Sequence, residues 1–498
     1  MNVNPITRLD YPDLDVIRVE DTYYMVSTTM HFMPGCEILQ SFDLVHWEHA
    51  TYVYETLDHT DAQQLKSGQN IYGQGMWAAS LRYHEGRFYI CFVANDTRKT
   101  YLYTSEKIDG PWKKQLIEGF YHDGSLLFDE DGRNYIVYGN DEIWITELNE
   151  DLTAPKKDGL HRLLVSDHKN PELGYEGSHI QKINGYYYIF LVHSLRDRWM
   201  RTEACFYSDS LEGEFTGGDV LCDDRGYCGQ GVAQGGIVDT PDGKWYAMLF
   251  QDSGAVGRIP ILLPVTWKDH FPFFGQNGHV PEEIEVHSTR PGYIYQPLVG
   301  SDDFCNGLLP RWQFNHDPDP RYYHLDALQG TYTITTREVC TELTQAVNTL
   351  TQRMSYPSCA AEVTVDASAL KEGDVAGLCA LQSCYAAVGI TKHHGKYEVL
   401  MLDKKEDGIL DMTEGTVVES HQMDFRLEAD FCNMKDEARC YYRVNKGDWL
   451  PIGNVHKLYF KLDHFTGCRF GLFCYAAEET GGSACFRDFK YYDVDEIS

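Results

Sequence analysis

A five-bladed β-propeller followed by a β-sandwich is the fold class that this 498-residue sequence predicts. Three observations point to it. A hairpin phrase recurs five times in the first half, segments of helical period are scarce, and beyond residue 301 the pattern becomes short alternating strands separated by polar turns. Aromatic residues make up 13% of the chain, which favours pleated, half-buried surfaces over helical bundles.

The phrase is an apolar segment, a two-residue turn and an aromatic-rich strand. It first reads Asp15-Val16-Ile17-Arg18-Val19, turn Glu20-Asp21, Tyr23-Tyr24-Met25-Val26. The second copy is Leu81-Arg82-Tyr83, turn Glu85-Gly86, Phe88-Tyr89-Ile90-Cys91-Phe92, and the third is Leu126-Leu127-Phe128, turn Asp131-Gly132, Tyr135-Ile136-Val137-Tyr138. Ile180 to Ile183 with Asn184-Gly185 and Tyr187 to Phe190 form the fourth, and Ile237-Val238 with Asp242-Gly243 and Trp245 to Leu249 the fifth. Asn-Gly and Asp-Gly between apolar runs favour type I′ hairpins, whose two central residues take positive φ. Successive turns are roughly 45 to 65 residues apart, room for four strands and the size of a propeller blade. A sandwich with chance hairpins competes poorly with so regular a repeat, and a parallel α/β sheet would need helical crossovers.

Stepping back nine residues from the second turn residue of repeats two to five, and eight in repeat one, lands on Asp13, Trp77, Asp123, Glu176 and Gln234. If the first strand of each phrase is the innermost of its blade, pseudo-symmetry sets these five in a ring at one mouth of the propeller. Three are acids. Carboxylates crowded at a desolvated mouth push apart one another's pKa values, the condition for paired acid and base chemistry.

Propeller phrasing ends near Pro264-Val265-Thr266-Trp267. Residues 1–290 are assigned to the propeller, 291–300 to a linker and 301–498 to the sandwich, whose strands include Ala361 to Val365 and Arg469 to Phe473. The net charge of −32 repels phosphate backbones, so nucleic acid is not expected as a partner. No apolar run is long enough to span a membrane, and no charged-then-apolar leader is visible. The fifteen scattered cysteines read as free thiols in a reducing compartment, which favours the cytoplasm. A homo-oligomer stays open.

The chain resembles glycoside hydrolase family 43, the five-bladed propeller β-xylosidases and α-L-arabinofuranosidases. The phrases that carry the resemblance are Tyr11-Pro12-Asp13, Met76-Trp77-Ala78-Ala79, His122-Asp123-Gly124-Ser125-Leu126, Tyr175-Glu176-Gly177-Ser178-His179 and Thr240-Pro241-Asp242-Gly243-Lys244-Trp245-Tyr246. The second half is similar to the concanavalin-like domain of the same β-xylosidases through Asp303-Phe304, Pro310-Arg311-Trp312, Leu350-Thr351-Gln352-Arg353 and Gly373 to Leu378. The resemblance implies Asp13 as general base, Glu176 as general acid and Asp123 as the residue that tunes and orients that acid. It also implies an oligosaccharide substrate and, from Val256-Gly257-Arg258-Ile259-Pro260, an arginine at Arg258 that reaches substrate and acids. Phe465, in Asp463-His464-Phe465-Thr466-Gly467, is the candidate for an aromatic residue that closes the pocket from the sandwich, so that only a chain end enters. Inverting hydrolysis leaves roughly 6.5–9.5 Å between acid and base for a water, a span that residues on different blades can meet.

Each residue also has an ordinary reading. Asp13 could cap a turn, Asp123 could form an Asx-turn, Glu176 could be a solvated charge, and Trp77 and Phe465 could be core. Arg258 could form a surface ion pair. Gln234 stands where several relatives carry a histidine near an axial ion or water, so neither metal nor cofactor is assigned. His31, His122, His179 and His193 lack mutual ligand spacing and read as hydrogen-bonding wall residues. Neither Gly73-Gln74-Gly75 nor Gly226 to Gly231 leads into a helix, so no phosphate loop is expected, and Cys36 and Cys228 have no evident catalytic partner. The leading expectation is an inverting exo-glycosidase that releases xylose from β-1,4-xylo-oligosaccharides. An α-L-arabinofuranosidase, a non-catalytic carbohydrate-binding protein and an interaction propeller are the alternatives.

Overall fold

The computed structural model describes residues 2–493. Residues 15–54, 76–117, 125–166, 176–221 and 232–274 each form one four-stranded sheet whose order follows the chain, so each is built of successive hairpins. The first strands, Asp15–Val19, Met76–His84, Ser125–Phe128, Glu176–Ile183 and Val232–Asp239, pack against one another in a ring, which makes them the innermost strands of a five-bladed propeller. Apolar seams fill the spaces between blades. Ile38 and Val26 meet Leu81 and Phe92 between the first and second, and Val16 and Met25 meet Met248 and Phe250 between the first and fifth. At about 1.5–3 kcal/mol for each such side chain, these seams supply the main attraction between blades.

Three kinds of hairpin occur at the repeated turns, and in the first, Glu20-Asp21, only Glu20 has positive φ. Glu85-Gly86 and Asn184-Gly185 have positive φ at both residues, as type I′ turns require. At Asp131-Gly132 and Asp242-Gly243 only the glycine is left-handed, and the loops are longer, spanning Asp129 to Arg133 and Thr240 to Lys244. Pro241 accounts for the second case. Its fixed φ suits the first central position of a type I turn and excludes the mirror-image turn.

Among the described residues no strand is exchanged between the first and last blades. The ring is fastened instead where Asn2–Val3 pairs with Glu283–Ile284, and where the Asn4 side chain donates to the carbonyls of Leu262 and Pro281 at 2.8 and 3.0 Å and accepts from Leu262 N–H at 3.0 Å.

Along the axis a buried ion cluster joins the inner strands. Arg82 donates to Asp15 at 2.6 Å, to Ser125 Oγ at 2.7 Å and to the carbonyls of Leu126 and Ile180, while His179 Nδ1 lies 3.1 Å from the other Asp15 oxygen. Burial alone would raise the pKa of Asp15, but Arg82, His179 and the Leu81 N–H pull it down to about 2.

The second half is a sandwich of two antiparallel sheets. One contains Asp374–Leu381, Ala386–His393, Lys396–Lys404, Leu350–Arg353 and Arg469–Ala476, and the other contains Ser358–Asp366, Gln422–Asp430, Glu437–Val444 and Ser483–Asp493. Alternation puts Leu378, Val388 and Leu472 of the first opposite Val363, Phe425 and Leu427 of the second in a common core. The propeller reaches into this domain: Phe32–Met33, from the first blade's sequence, extends the first sheet by pairing with Gln313–Asn315. Arg353 reaches back, with Nη1 2.8 Å from buried Glu37, Nε donating to the Asp10 carbonyl at 2.9 Å and its guanidinium 4.1 Å from the Tyr11 ring centre. No helix among the described residues is long and apolar enough to cross a membrane.

Removing the axial charge should therefore be severe. Asp15→Asn leaves the partly buried Arg82 without its counter-charge and is expected to lower unfolding free energy by about 2–4 kcal/mol in urea titrations. Because the folded pKa is depressed, the Asp15 contribution is complete above the ordinary value of 3.8 and is lost as pH falls toward about 2. The wild type should lose stability relative to the variant across that acid window.

Candidate active site

The five register-equivalent residues do lie around one mouth, and the local backbone explains how they point there. Asp13, Asp123 and Gln234 have left-handed φ of 51°, 47° and 62°, and Glu176 is followed by Gly177 at 66°. Register shifts interrupt the inner strands between Met76 and Ala79, Glu176 and His179, and Ala233 and Gly236. A bulge of this kind turns a side chain out of the sheet's alternation, here toward the axis.

Asp13 is buried against Arg258, whose Nη1 donates to Oδ1 at 2.8 Å. Arg258 is only 1% exposed, and its guanidinium lies 4.4 Å from the Phe465 ring centre while Nη2 meets the Phe465 carbonyl at 3.4 Å. Asp123, also buried, accepts the Gly177 N–H at 2.9 Å. Burial, with the charges of Glu176 and Asp13, outweighs the attraction of His122 and pushes the Asp123 carboxyl up to about 6. Glu176 is partly exposed and accepts from Asn140 Nδ2 at 2.7 Å. Gln234 is buried behind Gly177, with its own N–H donated to Glu203 at 2.7 Å. Burial raises the Glu203 carboxyl well above the ordinary carboxylate range.

A cavity of about 570 Å³ opens onto Glu176 and Trp77. Propeller residues His122, Asn140, Trp199, Arg201 and Asp252 form one side, and Met434, Phe460, Leu462 and Phe465 of the sandwich form the other. The Trp77 ring sits 5.5 Å from that of Phe465 and 5.9 Å from that of His122. Arg201 is held by Asp252 at 2.8 Å. Trp77, Glu176 and Phe465 face the cavity directly, whereas Asp13, Asp123, Arg258 and Gln234 lie behind its surface.

Of the histidines, His122 stands in the mouth, His179 on the axis, and His193 between Asp167 and Asp219. His31 is elsewhere, at the boundary with the sandwich, where Nε2 meets Asn315 Oδ1 at 3.0 Å and the ring packs against His316 and Tyr72. Cys36 is buried and its thiol is raised well above the ordinary range by burial, and Cys228 is an exposed free thiol. Away from the mouth, Glu372 of the loop before Asp374–Leu381 and His393 and His394 of a neighbouring exposed hairpin have donor atoms within 4.8 Å of one another. Asn140, Arg201, Met434, Phe460 and Leu462 carry no motif that marked them in the sequence.

The sandwich wall is anchored by Asp10, which accepts the N–H groups of Arg258 at 2.8 Å and Gly467 at 2.7 Å. A side chain on Gly467 would collide with the Val256 carbonyl and with Asp10. Gly467→Ala should thus loosen the segment that carries Phe465. We expect a loss of about 1–3 kcal/mol in denaturant melts and a several-fold rise in KM.

Residues 3–272 match Glycosyl hydrolases family 43, and residues 301–492 match the Beta xylosidase C-terminal Concanavalin A-like domain. A β-xylosidase of Formosa agariphila is 26% identical over 99% of this chain and 89% of its own, and a xylosidase/arabinosidase of Butyrivibrio fibrisolvens is 24% identical over 99% of both chains. Among solved structures, a bifunctional GH43-CE protein of Bacteroides eggerthii superposes on the whole chain with a TM-score of 0.93 at 42% identity, and this chain spans 64% of that protein's length. A GH43 glycoside hydrolase engineered for endo-xylanase and exo-arabinofuranosidase activity superposes with a TM-score of 0.87 at 27% identity over 99% of both chains. With its propeller matched to the family and its sandwich to the domain that accompanies β-xylosidases, the chain belongs to glycoside hydrolase family 43.

Proposed function

We propose that this glycosidase releases xylose from the non-reducing ends of β-1,4-xylo-oligosaccharides with inversion at the anomeric carbon. The observation that carries the reading is the gathering of Asp13, Asp123 and Glu176, from three blades, at a mouth walled on one side by the sandwich. Asp13, steadied by Arg258, removes a proton from the water that attacks the anomeric carbon. Glu176, at the cavity surface, protonates the departing oxygen. Asp123 is a buried neighbour whose charge and position adjust that acid. Trp77 offers an aromatic face to the sugar, Arg258 and Phe465 border it, and Gln234 supports the Glu176 loop from behind. A wall of Met434, Phe460, Leu462 and Phe465 on one flank suits a substrate that enters by its end.

A second reading, α-L-arabinofuranosidase activity alone or beside the first, is favoured by the relative named xylosidase/arabinosidase and by the arabinofuranosidase activity of the engineered structure. Fifteen free thiols support residence in a reducing compartment, and we assign the protein to the cytoplasm on that ground.

Initial rates on p-nitrophenyl β-xyloside and p-nitrophenyl α-L-arabinofuranoside should show hydrolysis of the first. Preference for the second moves the assignment to the alternative, and no turnover of either refutes both. Proton NMR of the nascent sugar should show the inverted anomer first. Glu176→Gln should lower kcat on xylobiose by about 10²–10⁴-fold with xylose binding retained, and undiminished turnover would remove Glu176 as the acid.

A further inference from the structure

His122 occupies a place in the mouth that the three-acid scheme does not use. Its Nε2 lies 3.6 Å from Asp123 Oδ2 and 3.6 Å from Glu176 Oε2, is shielded from solvent, and has no hydrogen-bond partner. The two carboxylate oxygens already accept one neutral donor each, the Gly177 N–H and the Asn140 amide, and both lie 3.6 Å from Nε2. An unprotonated Nε2 would set three acceptors face to face in a buried space. A proton on Nε2 resolves that conflict, because the N–H then points between two anions.

The other cations around the mouth have closer carboxylate partners, although Arg201 also feels the charges of Glu176 and Asp13. Arg258 is paired with Asp13 at 2.8 Å and Arg201 with Asp252 at 2.8 Å, while the sandwich side presents Met434, Phe460, Leu462 and Phe465, none of them charged. His122 is therefore the cation that directly faces the Asp123 and Glu176 pair among the described residues. The charge of Asp123, opposed by burial and aided by Glu176 and Asp13, pushes His122 up to about 9. At 3.6 Å the contacts are electrostatic rather than formed hydrogen bonds, the looseness typical of catalytic contacts before substrate fills the site.

Building on the proposed glycosidase reading, we propose that His122 is a positioning residue whose imidazolium bridges the two acids, orients Glu176 and steadies the carboxylate left when Glu176 protonates the leaving oxygen. The balance is simple. As the bond between anomeric carbon and leaving oxygen breaks, the proton on Glu176 passes to that oxygen, and the resulting carboxylate stays ionised beside His122, which keeps its proton. The attacking water gives its proton to Asp13. Exchange with solvent then returns a proton to Glu176 and removes one from Asp13. The mouth thus avoids passing through a state in which Asp123 and Glu176 are both anionic beside an uncharged imidazole.

The test compares wild type with His122→Asn and His122→Gln in the full-length protein, using p-nitrophenyl β-xyloside, whose leaving group needs little protonation, and xylobiose, whose leaving group needs it fully. The expected result is a kcat loss of no more than about tenfold on the aryl xyloside and of about 10²–10³-fold on xylobiose, with the alkaline limb of kcat/KM on xylobiose moving to higher pH, because Glu176 holds its proton more tightly once the cation is gone. Equal losses on both substrates, an unmoved limb, or a limb moved to lower pH would each overturn the inference, since a structural role predicts the first two and a proton-donor role the third. Retained aryl-xyloside turnover shows that a variant is folded. Should neither variant fold, the wild type still decides: the His122 imidazole should be a cation at neutral pH by NMR, and a neutral imidazole there overturns the proposal. A wild type inert on both substrates would instead remove the glycosidase reading on which this one rests.

Discussion

The buried ion cluster of Asp15, Arg82 and His179 is the constraint on which the rest of the propeller depends. Five inner strands converge on an axis, and the centre that remains must be filled by groups that satisfy one another, because an unpaired charge there would be expensive. Arg82 does this by spanning the first four blades with side-chain and carbonyl contacts, and His179 completes the second oxygen of Asp15. With the inner strands locked in register, the bulges and left-handed residues at their ends aim side chains at one mouth. The axial cluster is thus the foundation of the site although it makes no contact with the cavity.

At the mouth the physical problem is the reverse, since like charges are brought together on purpose. Asp13 is answered by Arg258, itself braced by the Phe465 ring and carbonyl. Asp123 and Glu176 are answered by the His122 imidazole and by two neutral donors. Asp13 and Asp123 are buried while Glu176 is partly exposed, and no two of the three share the same full set of partners. Such asymmetry lets carboxylates of the same chemistry take different roles in one reaction.

The sandwich takes part in the site rather than hanging from it. Asp10 ties the Gly467 N–H to the Arg258 N–H, so the segment that carries Phe465 and the strand that carries Arg258 share one acceptor. Arg353 with Glu37 and the pairing of Phe32–Met33 with Gln313–Asn315 make the boundary a set of specific buried contacts. A wall built this way holds its shape only if both halves are folded.

Much of the fold was legible because its signals are local. Hairpin turns, alternating aromatic strands and their repeat length are properties of short windows, and the offset from turn to mouth is the same in repeats two to five, so Asp13, Asp123 and Glu176 could be picked out by counting. The turn types at Asp131-Gly132 and Asp242-Gly243 were read less well, because one extra loop residue and Pro241 change the geometry without changing the dipeptide. Met434, Phe460 and Leu462 could not be found that way, nor could the place of His122 between two carboxylates. Met434, Phe460 and Leu462 meet the acids of the mouth only after two domains dock, and His122 meets Glu176 only when neighbouring blades close, so both depend on surfaces assembled from distant segments. The amino-acid order by itself determined the blades, the ring of acids and the sandwich, since each follows from neighbours along the chain. Which side chains share one cavity, and which charge answers which, was decided by tertiary packing, since burial and distance between remote residues exist only once the chain has closed on itself.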